Sequence, residues 1–491
     1  MILIPMKNKK RKNRSLLPYI TIFLLGLGML FGYLVLNRQR ATIAEVGTAK
    51  NSKTASVVPG GKTFAFINNP RQDLTDVQAE YLANNYDVVV IGYQSDPMIA
   101  SAKKIKSYNP NVKLLLYFPT TVRQIGAKYG VDQFKESWYL HDLSSGQRIV
   151  KGAAESLERV DLTQTDYTDW ARKTLSGFLQ QVEFEGVVFD NANPIGLTTD
   201  RGSWIQSIGE AKLDAWNDSL IKYLRGMTSM LNQNGQILIY NGIHRTDVKV
   251  NRSTDLLNST NGALNERFCY GQDSAKGWAY GILPKDQQVE DINLQISIAR
   301  NGQYVLQKVN WENIGNTLDQ TERDKYGNYC YGIFLMGHTP GLTFFKFGTG
   351  YNLAREPEEY RIQAPATKID LGAPVGAYKN DDGLLTRQFD NASVVVNLNS
   401  SPKIWKNPLS QETMTIPPQQ ARFIQVNQQP PTPVVSAEPQ SASCRTYCRE
   451  QKNYGNGWCA KQSKNCALNG GVHYPQADNK CSTGLSCCCR N

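Results

Sequence analysis

At 491 residues the chain is too long for one compact domain and suggests about three. Its apolar and aromatic content of 41% supplies a buried core, and a charged fraction of 20% excludes global disorder. The net charge of +11 does not mark a nucleic-acid partner, because residues 1–40 hold Lys7, Lys9, Lys10, Arg11, Lys12, Arg14, Arg38 and Arg40 with no acid, leaving the rest at +3.

The basic segment 1–14 precedes 16–36, which runs LLPYITIFLLGLGMLFGYLVL without a charge. That length matches the ~20 residues needed to cross the hydrocarbon of a bilayer as a helix. The expectation is a cytoplasmic segment at 1–14, a transmembrane signal anchor at 15–37 and a linker at 38–61. By the positive-inside rule this is a single-pass cell-membrane protein, N-terminus cytoplasmic and body extracellular or periplasmic, with the lipid bilayer as a partner through 16–36. A cleaved signal peptide is the alternative. Its apolar core spans only ~7–15 residues before a small-residue site, which the Arg-rich stretch after Asn37 does not supply.

From 62 to 355, short apolar runs alternate with stretches of helical spacing. The runs fall at 63–68, 87–93, 112–118, 186–191, 236–241, 262–268, 303–310 and 341–347; the helical segments include 74–84, 97–107, 166–182, 211–233, 286–300 and 318–335. Eight buried strands alternating with helices predict an α/β fold, a (β/α)8 TIM barrel. An open doubly wound sheet also alternates, but no Gly-rich phosphate loop follows the first run. The interval between the fifth and sixth runs is short and poor in helix.

Residues 361–427 change to period-two alternation with Asn, Gly and Pro punctuation, which predicts a small antiparallel, β-sandwich-like domain with strands at 369–372, 384–389, 393–398 and 421–426. A Pro-rich linker follows at 428–443. Residues 444–491 hold eight of the ten cysteines, Cys444, Cys448, Cys459, Cys466, Cys481, Cys487, Cys488 and Cys489. Such density in an exported tail reads as a disulfide module, either a small binding knot or a structural cap. Cys269 and Cys330 in the barrel region either pair or remain buried thiols.

Active sites of such barrels are built where strands end. Two carboxylates close apolar runs on separate strands, Asp190 after Gly-Val-Val-Phe and Glu266 after Gly-Ala-Leu-Asn. Glycosidic cleavage requires such a pair, one ionised and one able to give a proton. The candidate substrate-binding groups at strand ends are Asn68, Tyr93, Tyr117, Trp138, Asn191, Tyr240, Asn241, Arg267, Lys308, Asn310, Trp311 and Lys346, with Phe345 as a further aromatic. Lys308, Arg267 and Lys346 are placed to hold one carboxylate ionised. The competing reading of each acid is a helix cap or a partner of an arginine. Scattered histidines without an HExxH spacing predict no metal, no GxSxG elbow is present, and no cofactor is expected.

The stretches Trp138-Tyr-Leu-His-Asp, Val160-Asp-Leu-Thr and Glu185-Gly-Val-Val-Phe-Asp-Asn resemble the glycosyl hydrolases of the α-galactosidase-like barrel superfamily, nearest to glycosyl-hydrolase-like family 15 and the endo-α-1,4-polygalactosaminidases. Asp370-Leu-Gly-Ala-Pro and Arg387-Gln-Phe-Asp-Asn resemble the small β domain that follows such barrels. The resemblance covers about 62–427 and implies a fourth-strand nucleophile at Asp190, a sixth-strand acid/base at Glu266, and a polysaccharide substrate. Together with the anchor expected at 15–37, this predicts a membrane-anchored retaining glycosidase; a non-catalytic glycan-binding protein on the same barrel is the alternative.

Overall fold

The computed structural model describes residues 63–67, 72–92, 95–124, 133–150, 157–197, 200–243, 252–273, 279–309, 319–348, 359–408, 410–425, 456–460, 472–473 and 486–490. The expected cell-membrane placement is corrected: no helix among the described residues is long and apolar enough to cross a membrane. The stretch 16–36, on which that expectation and the bilayer contact rested, lies outside the described residues, as do both linkers.

Eight parallel strands follow one another around a single sheet: β1 (Phe64–Ile67), β2 (Val88–Ile91), β3 (Lys113–Pro119), β4 (Gly186–Asp190), β5 (Ile237–Asn241), β6 (Gly262–Asn265), β7 (Tyr304–Val309) and β8 (Thr343–Phe347). A parallel bridge from Thr63 to Phe345 brings β8 back to β1, so the sheet is a (β/α)8 barrel. Helices connect the strands: α1 (Asp76–Asn85), α2 (Asp96–Tyr108), α3 (Thr165–Leu179), α4 (Arg201–Ile208), α5 (Glu210–Gln233), α6 (Arg252–Leu257), α7 (Lys285–Arg300) and α8 (Gln320–Met336). The helix-poor interval of the sequence is filled by α6, which is six residues long.

Local chemistry fixes these boundaries. Thr75 and Gln78 cap α1 reciprocally, each side chain accepting from the other's backbone N–H, and Ser95 and Asp319 accept from the first turns of α2 and α8. The strands are apolar on both faces, as Val88-Val-Val-Ile shows, because parallel strands under helices meet protein on each side. One apolar cluster takes alternate residues from every strand and none from a helix: Phe64, Phe66, Val88, Val90, Leu115, Val188, Ile239, Leu264, Leu306 and Phe344. This cluster fills the barrel interior. The opposite parity, including Ala65, Val89, Leu116, Val187 and Leu238, packs outward with helix residues such as Leu82, Leu175 and Trp216.

The chain divides into two compact units, one running through Asp390 with Val394–Phe423, the other formed by Asn391–Ser393 and everything from Ile424. After the barrel come β9 (Pro374–Asp381), β10 (Leu384–Phe389), β11 (Ala392–Asn397), β12 (Lys403–Lys406), β13 (Thr413–Ile416) and β14 (Gln420–Gln425). They form a four-stranded sheet in the order β9-β10-β11-β14 and a β12-β13 hairpin. The strand expected at 369–372 is instead the exit from a 3-10 turn (Pro365–Lys368), and β9 takes its place. Most of β9 is exposed, so its residues carry no buried alternation to read. In the second unit, Asn456–Ala460, Ser486–Arg490 and Val472–His473 make an antiparallel sheet carrying Cys459 and Cys487 to Cys489, and Cys488 is disulfide-bonded. The remaining cysteines of 444–491 lie outside the described residues.

Within the first unit, α8 meets the β domain at close range. A Cβ on Gly332 would stand 2.7 Å from the Ala421 side chain and 2.8 Å from that of Val396, while Tyr331 stacks on Phe423 at 6.0 Å between centroids. Arg387 Nη1 donates to the carbonyls of Leu335, Met336 and His338, satisfying the C-terminal end of α8, and burial pulls its pKa down to about 10. Cys269, just past β6, pairs with Cys330 of α8, so these two cysteines form a disulfide. Gly332→Val should therefore overpack this contact and lower unfolding stability by roughly 1–3 kcal/mol. An unchanged urea midpoint would contradict the close packing.

Candidate active site

Counting two residues onward from the apolar plug gives the next interior layer at the C-terminal mouth. Leu115 leads to Tyr117, Val188 to Asp190, Ile239 to Asn241, Leu264 to Glu266, Leu306 to Lys308 and Phe344 to Lys346. The apolar interior thus ends in a polar ring whose members come from six consecutive strands.

Five of these side chains and Asn191 form one network. Asp190 accepts from the Tyr117 hydroxyl and from Asn191 Nδ2 at 2.6 Å on Oδ2, and from Asn241 Nδ2 at 2.7 Å on Oδ1. The same Asn241 nitrogen donates to Glu266 Oε2 at 3.0 Å, and Lys308 Nζ donates to Glu266 Oε1 at 3.1 Å. Sharing one nitrogen, Asp190 Oδ1 and Glu266 Oε2 can lie no farther apart than the two distances laid end to end, about 5.7 Å. Burial, and next the charge of Glu266, push the Asp190 carboxyl above the ordinary carboxylate range, while its donors Tyr117, Asn191 and Asn241 act in the opposite sense.

The network is held from beneath and from the side. Asn191 adopts a left-handed φ of 55°, which turns the chain at the end of β4 so that its own amide reaches back to Asp190. Thr121 Oγ1 donates to the Asn191 carbonyl at 2.5 Å. With its amide turned so that the nitrogen faces them, the orientation that satisfies both groups, Asn193 donates to the carbonyls of Gly242 and Asn241 at 3.2 and 3.3 Å, tying the turns after β4 and β5 together. Gly242 has φ 123° and no room for a Cβ beside the Asn193 amide, so only glycine permits this approach. Asn193 escaped the sequence reading because it lies past the strand end, where spacing carries no signal.

The other expected residues divide sharply. Tyr240 has the opposite parity from Asn241; it is fully buried on the outer face of the barrel and does not line the mouth. Phe345 is likewise turned outward, against Tyr331 and Phe334 of α8. Trp138 is buried in an aromatic cluster with Phe134, Tyr167 and Trp170 and is closed to a sugar. Arg267 is exposed, and its backbone bridges Val309. Lys346 donates to the Ile362 carbonyl at 3.1 Å. Tyr117 is at the site, but its hydroxyl serves Asp190 while its ring packs edge-on against Phe66. Asn68, Tyr93, Asn310 and Trp311 lie outside the described residues. Among the described residues no group of three or more His, Cys, Asp or Glu is arranged to hold a metal ion.

Comparison with known proteins follows the fold. No curated protein matches the sequence. Among solved structures, a noncanonic maltogenic alpha-amylase from Thermotoga neapolitana is 11% identical with a TM-score of 0.43, covering 75% of this chain and 96% of that one. An alpha-amylase from Lactobacillus plantarum is 9% identical with a TM-score of 0.43, covering 74% and 98%. A dextranase from Flavobacterium johnsoniae is 11% identical with a TM-score of 0.42, covering 74% and 51%. Likeness at these scores says nothing about activity. The sequence model of hypothetical glycosyl hydrolase family 15 matches residues 104–393, a span that includes Asp190, Asn241, Glu266 and Lys308. With more than half its length matched, including the strands that carry the acidic pair, the chain belongs to hypothetical glycosyl hydrolase family 15.

Proposed function

We propose that this protein is a retaining glycoside hydrolase that cleaves O-glycosidic bonds in a polysaccharide, with Asp190 as nucleophile and Glu266 as acid/base. The observation that carries the reading is the single Asn241 nitrogen shared by both carboxylates, which keeps their facing oxygens within about 5.7 Å. Retaining enzymes hold their carboxyl groups about 5–5.5 Å apart, whereas inverting ones need about 6.5–9.5 Å to admit a water.

Both Asp190 oxygens accept from donors, which suits a carboxylate kept as an anion for attack. In the first step an Asp190 oxygen bonds to the anomeric carbon, the glycosidic C–O bond breaks, and Glu266 protonates the departing oxygen. In the second, Glu266 takes a proton from water as the water oxygen replaces Asp190 on that carbon. Asn241 sets the spacing, and Tyr117 steadies the anion.

Glu266→Gln should lower turnover by roughly 10²–10⁴-fold, the usual size of general acid–base help, and Asp190→Asn by more, with circular dichroism unchanged. Normal turnover in either variant would remove the assignment. The first-formed product should keep the anomeric configuration of the substrate by proton NMR; inversion would refute the nucleophile. Tyr117→Phe removes a donor that lowers the Asp190 pKa, so the acid limb of kcat/KM should move to higher pH. Here activity is lost as pH falls through the raised pKa, and an unmoved limb would argue against Asp190 as the group that must ionise.

A further inference from the structure

The side chain of Lys308 has 0% exposure, and a buried ammonium persists only where something compensates it. Its Nζ stands 3.1 Å from Glu266 Oε1 and 4.5 Å from the centre of the Phe66 ring, whose face attracts a cation. On Glu266 the second oxygen is occupied by Asn241, so Lys308 and Asn241 between them take both carboxyl oxygens. The other charged or titratable groups around the acid come from neighbouring strands. Asp190 of β4 is reached through Asn241, and Tyr117 of β3 donates to Asp190. Lys346, opposite Lys308 in the β7–β8 register, is directed to the Ile362 carbonyl, and Arg267 is exposed.

This arrangement poses a chemical problem for the proposed cycle. A carboxylate facing an ammonium carries no proton, yet Glu266 must deliver one. We infer that Lys308 is the proton partner of Glu266, a positioning residue that acts through it, the pair holding one proton between them. The inference rests on the reading of Glu266 as acid/base. In the empty site the proton is on the amine, as ammonium facing carboxylate. As the glycosidic bond breaks, Glu266 gives a proton to the departing oxygen and Lys308 replaces it, becoming a neutral amine. The Asp190 charge is consumed in the ester at the same time, so the net charge of the site stays the same. When water cleaves the ester, its proton passes through Glu266 to Lys308, and Asp190 leaves as carboxylate. Every proton and charge returns to its starting place. The low-dielectric surroundings that make a charged Lys308 costly also make a neutral one accessible.

The test is a carbon-13 NMR titration of the glutamate side-chain carboxyls in the whole protein, with Glu266 assigned by its loss in Glu266→Gln. In Lys308→Met the Glu266 carboxyl should titrate about 1–3 pH units higher than in the unaltered protein, the size of effect that one close opposite charge exerts. Lys308→Gln, neutral but still a donor, should show the same rise if the methionine variant does not fold. Lys308→Arg, which keeps the charge, should stay near the unaltered value. A Glu266 titration that is the same in the neutral variants and the unaltered protein would overturn the inference. This readout does not depend on turnover. A protein that hydrolyses no glycoside yet shows the rise would contradict the hydrolase reading and leave the Lys308–Glu266 pair standing.

Discussion

The pleat of a β-strand sends successive side chains to opposite faces, and closing eight such strands into a barrel makes one face of each an interior. Most of what is distinctive here follows from that constraint. Phe64, Val88, Leu115, Val188, Ile239, Leu264, Leu306 and Phe344 plug the interior with apolar volume, and the sheet has no free edge along its barrel strands. Two residues later the same parity delivers Tyr117, Asp190, Asn241, Glu266 and Lys308 to the mouth. The site is therefore a continuation of the core by one more interior layer, with polar side chains in place of apolar ones.

Such a layer is stable only if its charges answer one another. A buried carboxylate or ammonium left alone costs several kcal/mol. Here Asp190 is met by three donors and Glu266 by an amide and an ammonium. Asn241 couples the two acids through a single nitrogen, so neither can shift without disturbing the other's partner. Buried polar networks of this kind are rigid when every member is satisfied. That rigidity is what a two-carboxylate reaction needs, since the separation of the acids decides its stereochemical course.

The surrounding architecture supports this geometry at some distance. Asn193 and Gly242 clamp the turns behind Asp190 and Asn241. Three residues beyond Glu266, the Cys269–Cys330 disulfide fastens the chain to α8, the helix on which the β domain packs through Gly332, Ala421 and Arg387. A continuous covalent and packed path thus runs from the β domain to the turn after β6. The small β domain has a mechanical connection to the mouth, though it adds no side chain to the acidic pair.

The number and order of the barrel elements were legible because each strand is a short run apolar on both faces and helical spacing fills the intervals between them, with caps at Thr75, Ser95 and Asp319. The two acids were legible because each interrupts such a run at its end. Position at or near a strand end marks Tyr240 and Trp138 as candidates, but the pleat turns Tyr240 outward and a cluster with Phe134, Tyr167 and Trp170 buries Trp138, neither of which local spacing encodes. The exposed strand β9 left no trace in hydropathy, because nothing buries it. By itself the sequence determined which residue types end the strands, since local spacing and burial are properties of neighbouring residues. Only the tertiary structure decided that Asn241 would hold both carboxylates and that Lys308 would face Glu266 rather than solvent. Those contacts join strands 25 to 51 residues apart in the chain, and their distances are set by barrel closure rather than by any local pattern.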